Sequence, residues 1–194
     1  MPKIVGMDRK LIAVGVVGLL AGVALTALVG FYSLPGLMMQ EDQSPHDFEQ
    51  TTSLFEEEID AADWSIVTTH DMQQTMEKHG YEDVEKIQIC ELCNPGHAAE
   101  ILTKSEERIV SPMMPCRVAI YEKADGNTYI GRMNSGLVAR PFGGTVSDVM
   151  QDAAAETEVV IDAVLEASPE EARERVSSEL DSSRNRLASP TVPA

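Results

Sequence analysis

Three cysteines, Cys90, Cys93 and Cys116, are the residues of this chain best suited to chemistry. A thiolate is both a nucleophile and a soft metal ligand. Cys90-Glu91-Leu92-Cys93 has CxxC spacing, which serves redox dithiols and half-sites for zinc. A redox CxxC opens a helix, whereas Cys90 falls in an expected strand, where residues three apart face opposite sides. No second CxxC or HxxxH pattern completes a four-ligand zinc set. Cys93 precedes Asn94-Pro95, an N-cap followed by proline at the first helical position. Exposed amides at such a terminus favour a thiolate. His97 falls in the first helical turn, where its imidazole could approach the sulfur. The same pattern also fits a small apolar cysteine closing a strand.

Cys116 stands in Met113-Met114-Pro115-Cys116-Arg117, ahead of another β-rich run. Thioether and thiol together suit copper(I) or haem iron. A plain hydrophobic lead-in to a strand reads the same way. Aligned pairing of the two strands would bring Cys93 and Cys116 together. They would then form a disulfide, or a two-thiolate site with His97 or Met114. No Ser-His-Asp set, Walker loop or HExxH motif is present. Gly143-Gly144-Thr145 before a helix suits either an anion or a tight turn. His46 and His70 are isolated. His79 suits a helix C-terminus as a dipole partner.

Alternation and capping patterns predict the elements that position these residues. Ser65 to Thr69 is β-branched and reads as a strand. Asp71 with Gln74 forms a capping box ahead of a helix that Gly80 stops. Val84 to Leu92 reads as a strand, and a helix follows from Pro95 to about Lys104. Arg117 to Glu122 and Thr128 to Met133 flank Asp125-Gly126, a hairpin signal. After a loop over Asn134 to Gly144, Thr145 is the expected cap of a long helix. Its stripe runs through Val149, Met150, Ala153, Thr157, Val160, Ile161, Val164 and Leu165. Ser168 to Glu171 opens a thin-striped helix in a charged tail. This order implies an α+β two-layer domain, with helices on an antiparallel sheet.

Residues 11–32 hold no charge and are long enough to span a bilayer as a helix. Pro35-Gly36 is expected to end that helix. Lys3, Arg9 and Lys10 precede it, and no Lys or Arg follows until Lys78. The positive-inside rule leaves the N-terminus cytoplasmic and the rest extracytoplasmic. A cleaved signal peptide is the competing reading, but its apolar stretch is typically about 7–15 residues. Gly18 and Gly22 have GxxxG spacing, which pairs helices or reflects ordinary glycine content. Residues 33–63 read as a linker, because Gln40 to Asp63 holds nine acidic residues and no Lys or Arg. Leu54, Phe55 and Ile59 suggest only a short amphipathic turn within it. The net charge of −17 argues against nucleic acid and anionic lipid surfaces as partners.

Several motifs together resemble the domain of unknown function 302 family. They are Cys93-Asn94-Pro95, Met114-Pro115-Cys116-Arg117-Val118, Tyr121-Glu122-Lys123, Asp125 to Ile130, Arg132 to Leu137, Phe142-Gly143-Gly144 and Val149-Met150. The resemblance covers residues 64–166. It implies a curved antiparallel sheet backed by helices, similar to TATA-binding protein halves, and a homodimeric habit. It does not imply DNA binding. Anchored members with two such cysteines are similar to proteins of sulfur-oxidising bacteria, and Cys90 has no place in the family pattern. The expected layout is a cytoplasmic segment at 1–10, the membrane helix at 11–32, the linker at 33–63, the family-like domain, and a charged helical or disordered tail at 167–194.

The functional expectation is a non-enzymatic, extracytoplasmic binding module on the cell membrane, single-pass. It would hold a soft metal, haem or sulfur species through Cys93 and Cys116, with His97 and Met114 as further candidates. It could also present a dimer surface to a membrane redox partner. The alternatives are a thiol-dependent redox enzyme using Cys93, and a structural dimeric domain with a Cys93–Cys116 disulfide.

Overall fold

The computed structural model describes residues 9–168 and 170. Lys3 and most of the tail at 167–194 lie outside them. The chain divides into two compact units, one up to Leu37 and one from Met38 onward.

The first unit is an apolar helix, α1 (Arg9–Met38), whose last residue opens the second unit. Its Val14–Met38 stretch is long and apolar enough to cross a membrane, with a mean hydropathy of 2.3. The helix passes through Pro35 instead of stopping there. Proline removes one amide and crowds the preceding turn, which bends a helix but need not end one.

The second unit begins with β1 (Met39–Gln43), followed by α2 (Phe48–Ala61). The segment read as an acidic linker is therefore folded, and no spacer separates α1 from β1. Asp47 caps α2 by accepting a hydrogen bond from the Gln50 amide at 2.9 Å. The nine acidic residues hid an apolar stripe. Leu54, Phe55 and Ile59 are fully buried on α2, while Glu49, Glu57 and Asp60 are exposed and Glu56 and Glu58 are half-buried. Gln40 and Asp42 of β1 pair with Arg132 and Ile130 of the last strand, antiparallel.

The remaining elements are β2 (Ser65–Asp71), α3 (Met72–Glu77), β3 (Ile87–Cys93), α4 (Pro95–Leu102), β4 (Cys116–Glu122), β5 (Thr128–Met133), α5 (Ser135–Ala139) and α6 (Gly144–Glu166). A 3₁₀ helix at Ser105–Met113 follows α4, and α5 with a 3₁₀ turn at Arg140–Phe142 fills most of the stretch expected to be loop. Asp71 caps α3 as its box predicted, accepting from the Gln74 amide. The β4–β5 hairpin also forms as expected. Gly126 takes a φ of +78°, where an L side chain would be strained. Thr145 does not cap α6. Gly143, with φ +65°, holds that position, and the Thr145 hydroxyl instead accepts from Lys104 Nζ.

All five strands are antiparallel, in the order β1-β5-β4-β3-β2. Helices α2 and α6 cover one face of the sheet. Their core joins Leu54, Phe55 and Ile59 to Cys90, Leu92, Val118, Ile120 and Ile130 and to Val160, Ile161 and Val164. A second, smaller cluster gathers Ile101, Val110, Ala139, Val146, Val149 and Met150 at one end. The expected α+β architecture holds. Arg132 crosses from β5 to its neighbours: its Nη1 donates to Asp42 of β1, and its Nη2 and Nε donate to Glu158 of α6.

Candidate functional site

The strand ends place the cysteines. Leu92 of β3 is the register partner of Cys116 of β4, so Cys93 lies one residue further along the neighbouring strand. Cys116 packs against both hydrophobic clusters, at the seam between them. The peptide joining Met114 to Pro115 is cis. From Cys93 the chain turns into α4 through Asn94. The Asn94 side chain accepts from the Gly96 amide at 2.9 Å and from the His97 amide at 3.4 Å.

One cavity gathers all four residues singled out from sequence. Cys93, His97, Met114 and Cys116 line it together with Trp64, Ile101 and the Val149-Met150-Ala153 face of α6. Its volume is about 30 Å³, space for about one water-sized guest. The walls are almost wholly apolar. Burial pushes the Cys116 thiol above its ordinary range, and the proximity of Cys93 pushes it further in the same direction. All three cysteines are free thiols.

Cys90 stands apart from this cavity. Its side chain is fully buried in the main core, and that burial raises its pKa. The CxxC spacing is therefore two residues of one strand serving different surroundings. This arrangement orders the thiols by reactivity. With limiting iodoacetamide at neutral pH, mass mapping is expected to find Cys93 labelled first and the partly buried Cys116 and buried Cys90 severalfold more slowly, since desolvation raises the pKa of both. Equal labelling of all three in the folded protein would contradict the burial that places them.

The His97 ring that lines the cavity is engaged by an acid on α6. Its Nε2 lies 3.0 Å from both carboxylate oxygens of Glu156 on α6. The Trp64 indole N–H donates to the same carboxylate at 2.8 Å, and the two rings are 5.9 Å apart. Asn94 likewise occupies amides at the start of α4, donors expected to stabilise a thiolate. Glu156 and Trp64 are site residues that sequence reasoning missed. The available signal was an acid three residues after Ala153, on the edge of the buried stripe of α6.

The donor set limits what the cavity can hold. Among the described residues, no three His, Cys, Asp or Glu groups converge to hold a metal ion. Tetrahedral zinc needs four ligands, so this site does not fit it. Haem does not fit either, because a drug-sized guest already needs roughly 300 Å³ or more. Two thiols and the thioethers of Met114 and Met150 remain, all soft donors.

Against this geometry the comparisons with known proteins are informative. The family profile named "Domain of unknown function DUF302" matches residues 40–168. The chain belongs to the DUF302 family. The match begins at β1, so the family domain includes β1 and α2, which the sequence reading had left outside it. A solved structure, an uncharacterised conserved DUF302 protein from Bacillus stearothermophilus, is similar with a TM-score of 0.60 at 18% identity. The likeness covers 66% of this chain and 98% of that one. At that identity it shows the fold alone. No curated protein matches.

Proposed function

We propose that this DUF302 protein is a non-enzymatic binding module that holds a small soft species between Cys93 and Cys116. The observation that carries the reading is the convergence of two thiols and two thioethers on one small apolar cavity. The cavity lacks the parts of a thiol enzyme: His97 is engaged by Glu156, and Asn94 occupies amides of α4. In this proposal the apolar helix is an uncleaved single-pass anchor. The three basic residues ahead of it keep the N-terminus cytoplasmic, and the acidic domain is extracytoplasmic. The module works as a homodimer that hands its guest to a membrane partner.

The test uses the full chain, reduced and anaerobic, in phosphatidylcholine nanodiscs. Copper(I), silver(I) and inorganic polysulfide are offered in turn, and retention after gel filtration is measured by elemental analysis. One equivalent of at least one species is expected on the native chain, and none on the Cys93→Ser, Cys116→Ser double variant. Retention of nothing, or equal retention by the double variant, overturns the reading.

A further inference from the structure

We infer that the guest of the Cys93–Cys116 cavity is a monovalent, two-coordinate soft cation of the copper(I) class, bound by the two thiolates, and that the fold withholds the further ligands a divalent ion would need. This rests on the binding reading above and narrows it to one chemistry.

Coordination number decides the class. Zinc and other borderline divalent ions take four ligands, drawn from thiolate, imidazole and carboxylate. Among the described residues the imidazole that lines this cavity is His97, and it is bound to the carboxylate of Glu156. Nε2 of His97 lies 3.0 Å from each oxygen of Glu156, and the Trp64 indole at 2.8 Å holds the carboxylate from a second side. Trp64 is 4% exposed and the Glu156 side chain 44%, so the clamp sits at the edge of the core, anchored by the indole. Among the described residues no third His, Cys, Asp or Glu converges with the two thiols on one ion position, so neither His97 nor Glu156 completes a divalent site. What stays available is thiol and thioether. Copper(I) selects those soft donors and is satisfied by two of them.

Size and polarity agree. A cavity of about 30 Å³ admits a bare ion but not a hydrated one or an organic cofactor. Its lining is mostly apolar, with Ile101, Val149, Met150 and Ala153, and its polar members Asn94 and His97 are already bonded to the α4 amides and to Glu156, which leaves little to replace the water that a hard cation would have to shed. Cys116 borders both hydrophobic clusters and lies close enough to Cys93 for the two to interact electrostatically. Met114 supplies a thioether on the same wall. Binding is a ligand exchange without redox change. Each thiol releases its proton to solvent, two copper–sulfur bonds form, and the chelator that delivered the ion leaves. The bis-thiolate complex carries one negative charge.

The experiment titrates the full chain in nanodiscs, anaerobically, with copper(I) presented as its bathocuproine disulfonate complex and, separately, with zinc(II) against a colorimetric chelator. X-ray absorption of the copper-loaded protein reads the donor atoms. One copper(I) with sulfur-only coordination is expected, with zinc bound at least 1,000-fold more weakly. Cys93→Ser and Cys116→Ser should each abolish copper retention, whereas His97→Gln should leave both stoichiometry and the sulfur-only spectrum unchanged. A nitrogen donor in the native spectrum that disappears in His97→Gln overturns the inference, as does zinc binding of comparable strength. Retention of polysulfide but not copper(I) also overturns it while leaving the broader binding reading intact. Failure to retain any of the three species removes both.

Discussion

Replacing Phe55 by alanine is expected to cost about 3–5 kcal/mol of stability, the range for deleting a fully buried aromatic side chain. Phe55 is 0% exposed and belongs to the cluster that joins α2 to β3, β4 and α6. Its neighbours Leu54 and Ile59 on the same helix are equally buried, so the site has little freedom to collapse around a void. Denaturation of the full chain in detergent micelles, followed by Trp64 fluorescence, measures the loss directly. Trp64 is the only tryptophan, is nearly buried and sits in the same cluster. The outcome discriminates between two descriptions of residues 40–63. If the segment were a solvated linker, the change would stay within about 0.5 kcal/mol, as for ordinary surface substitutions. A change that small would remove α2 from the core. Asp60→Ala, at an exposed position of the same helix, is the matched control and is expected to be nearly neutral.

The second large effect concerns Arg132. Its side chain is 8% exposed and donates to Asp42 on one side and Glu158 on the other. Burial alone would lower its pKa, but its hydrogen bonds to Glu158 and Asp42 outweigh that, so the guanidinium remains charged. Arg132→Met keeps most of the stem's packing and removes the charge. Breaking a fully buried pair from one side costs about 3–5 kcal/mol. Here Asp42 is 45% and Glu158 34% exposed, so water recovers part of their solvation. The expected loss is about 2–3 kcal/mol, read by the same denaturation. Asp42→Asn should lose less than half as much, since Glu158 still holds the arginine. If Arg132→Met proves neutral, the three-way tie between β1, β5 and α6 contributes nothing, and β1 is held by backbone pairing alone.

Both results bear on the site through the scaffold. Arg132 fixes α6 against the sheet at Glu158, two residues beyond Glu156. The clamp on His97 therefore depends on α6 keeping its height relative to β4 and β5. Destabilised variants of Arg132 are expected to affect the cavity only when the helix itself shifts, and the alkylation rate of Cys116 reports that shift independently of global stability.

Local patterns were legible where a residue's role depends on its near neighbours. Asp71 and Asn94 cap the helices that their spacing announced, and Asp125-Gly126 turns the hairpin. The stripe of α6 lies buried as its period required, apart from the partly buried Leu165. Each of these is settled within one or two turns of chain, where sterics and a single hydrogen bond suffice. The acidic stretch misled because composition averages over faces. Nine carboxylates dominate the segment, yet only three large side chains on one side of α2 decide whether it joins a core. Likewise Pro35 was read as a stop, although a helix end depends on the downstream residues as well as on the proline itself.

The residues alone were enough to single out Cys93, His97, Met114 and Cys116, because soft donors beside strand ends and a capped helix are visible in one dimension. They were also enough to establish the apolar helix and the α+β order of elements. Only the tertiary structure decided that these four line a single cavity, that it holds about 30 Å³, and that Cys90 is excluded from it. It alone brought Glu156 to His97 across 59 residues of chain and Trp64 to the same carboxylate across 92. The reason is physical. A donor's chemistry belongs to the side chain, but its availability depends on what else has been folded against it, and here that partner comes from a helix whose outward-reading sequence shows only one more acid.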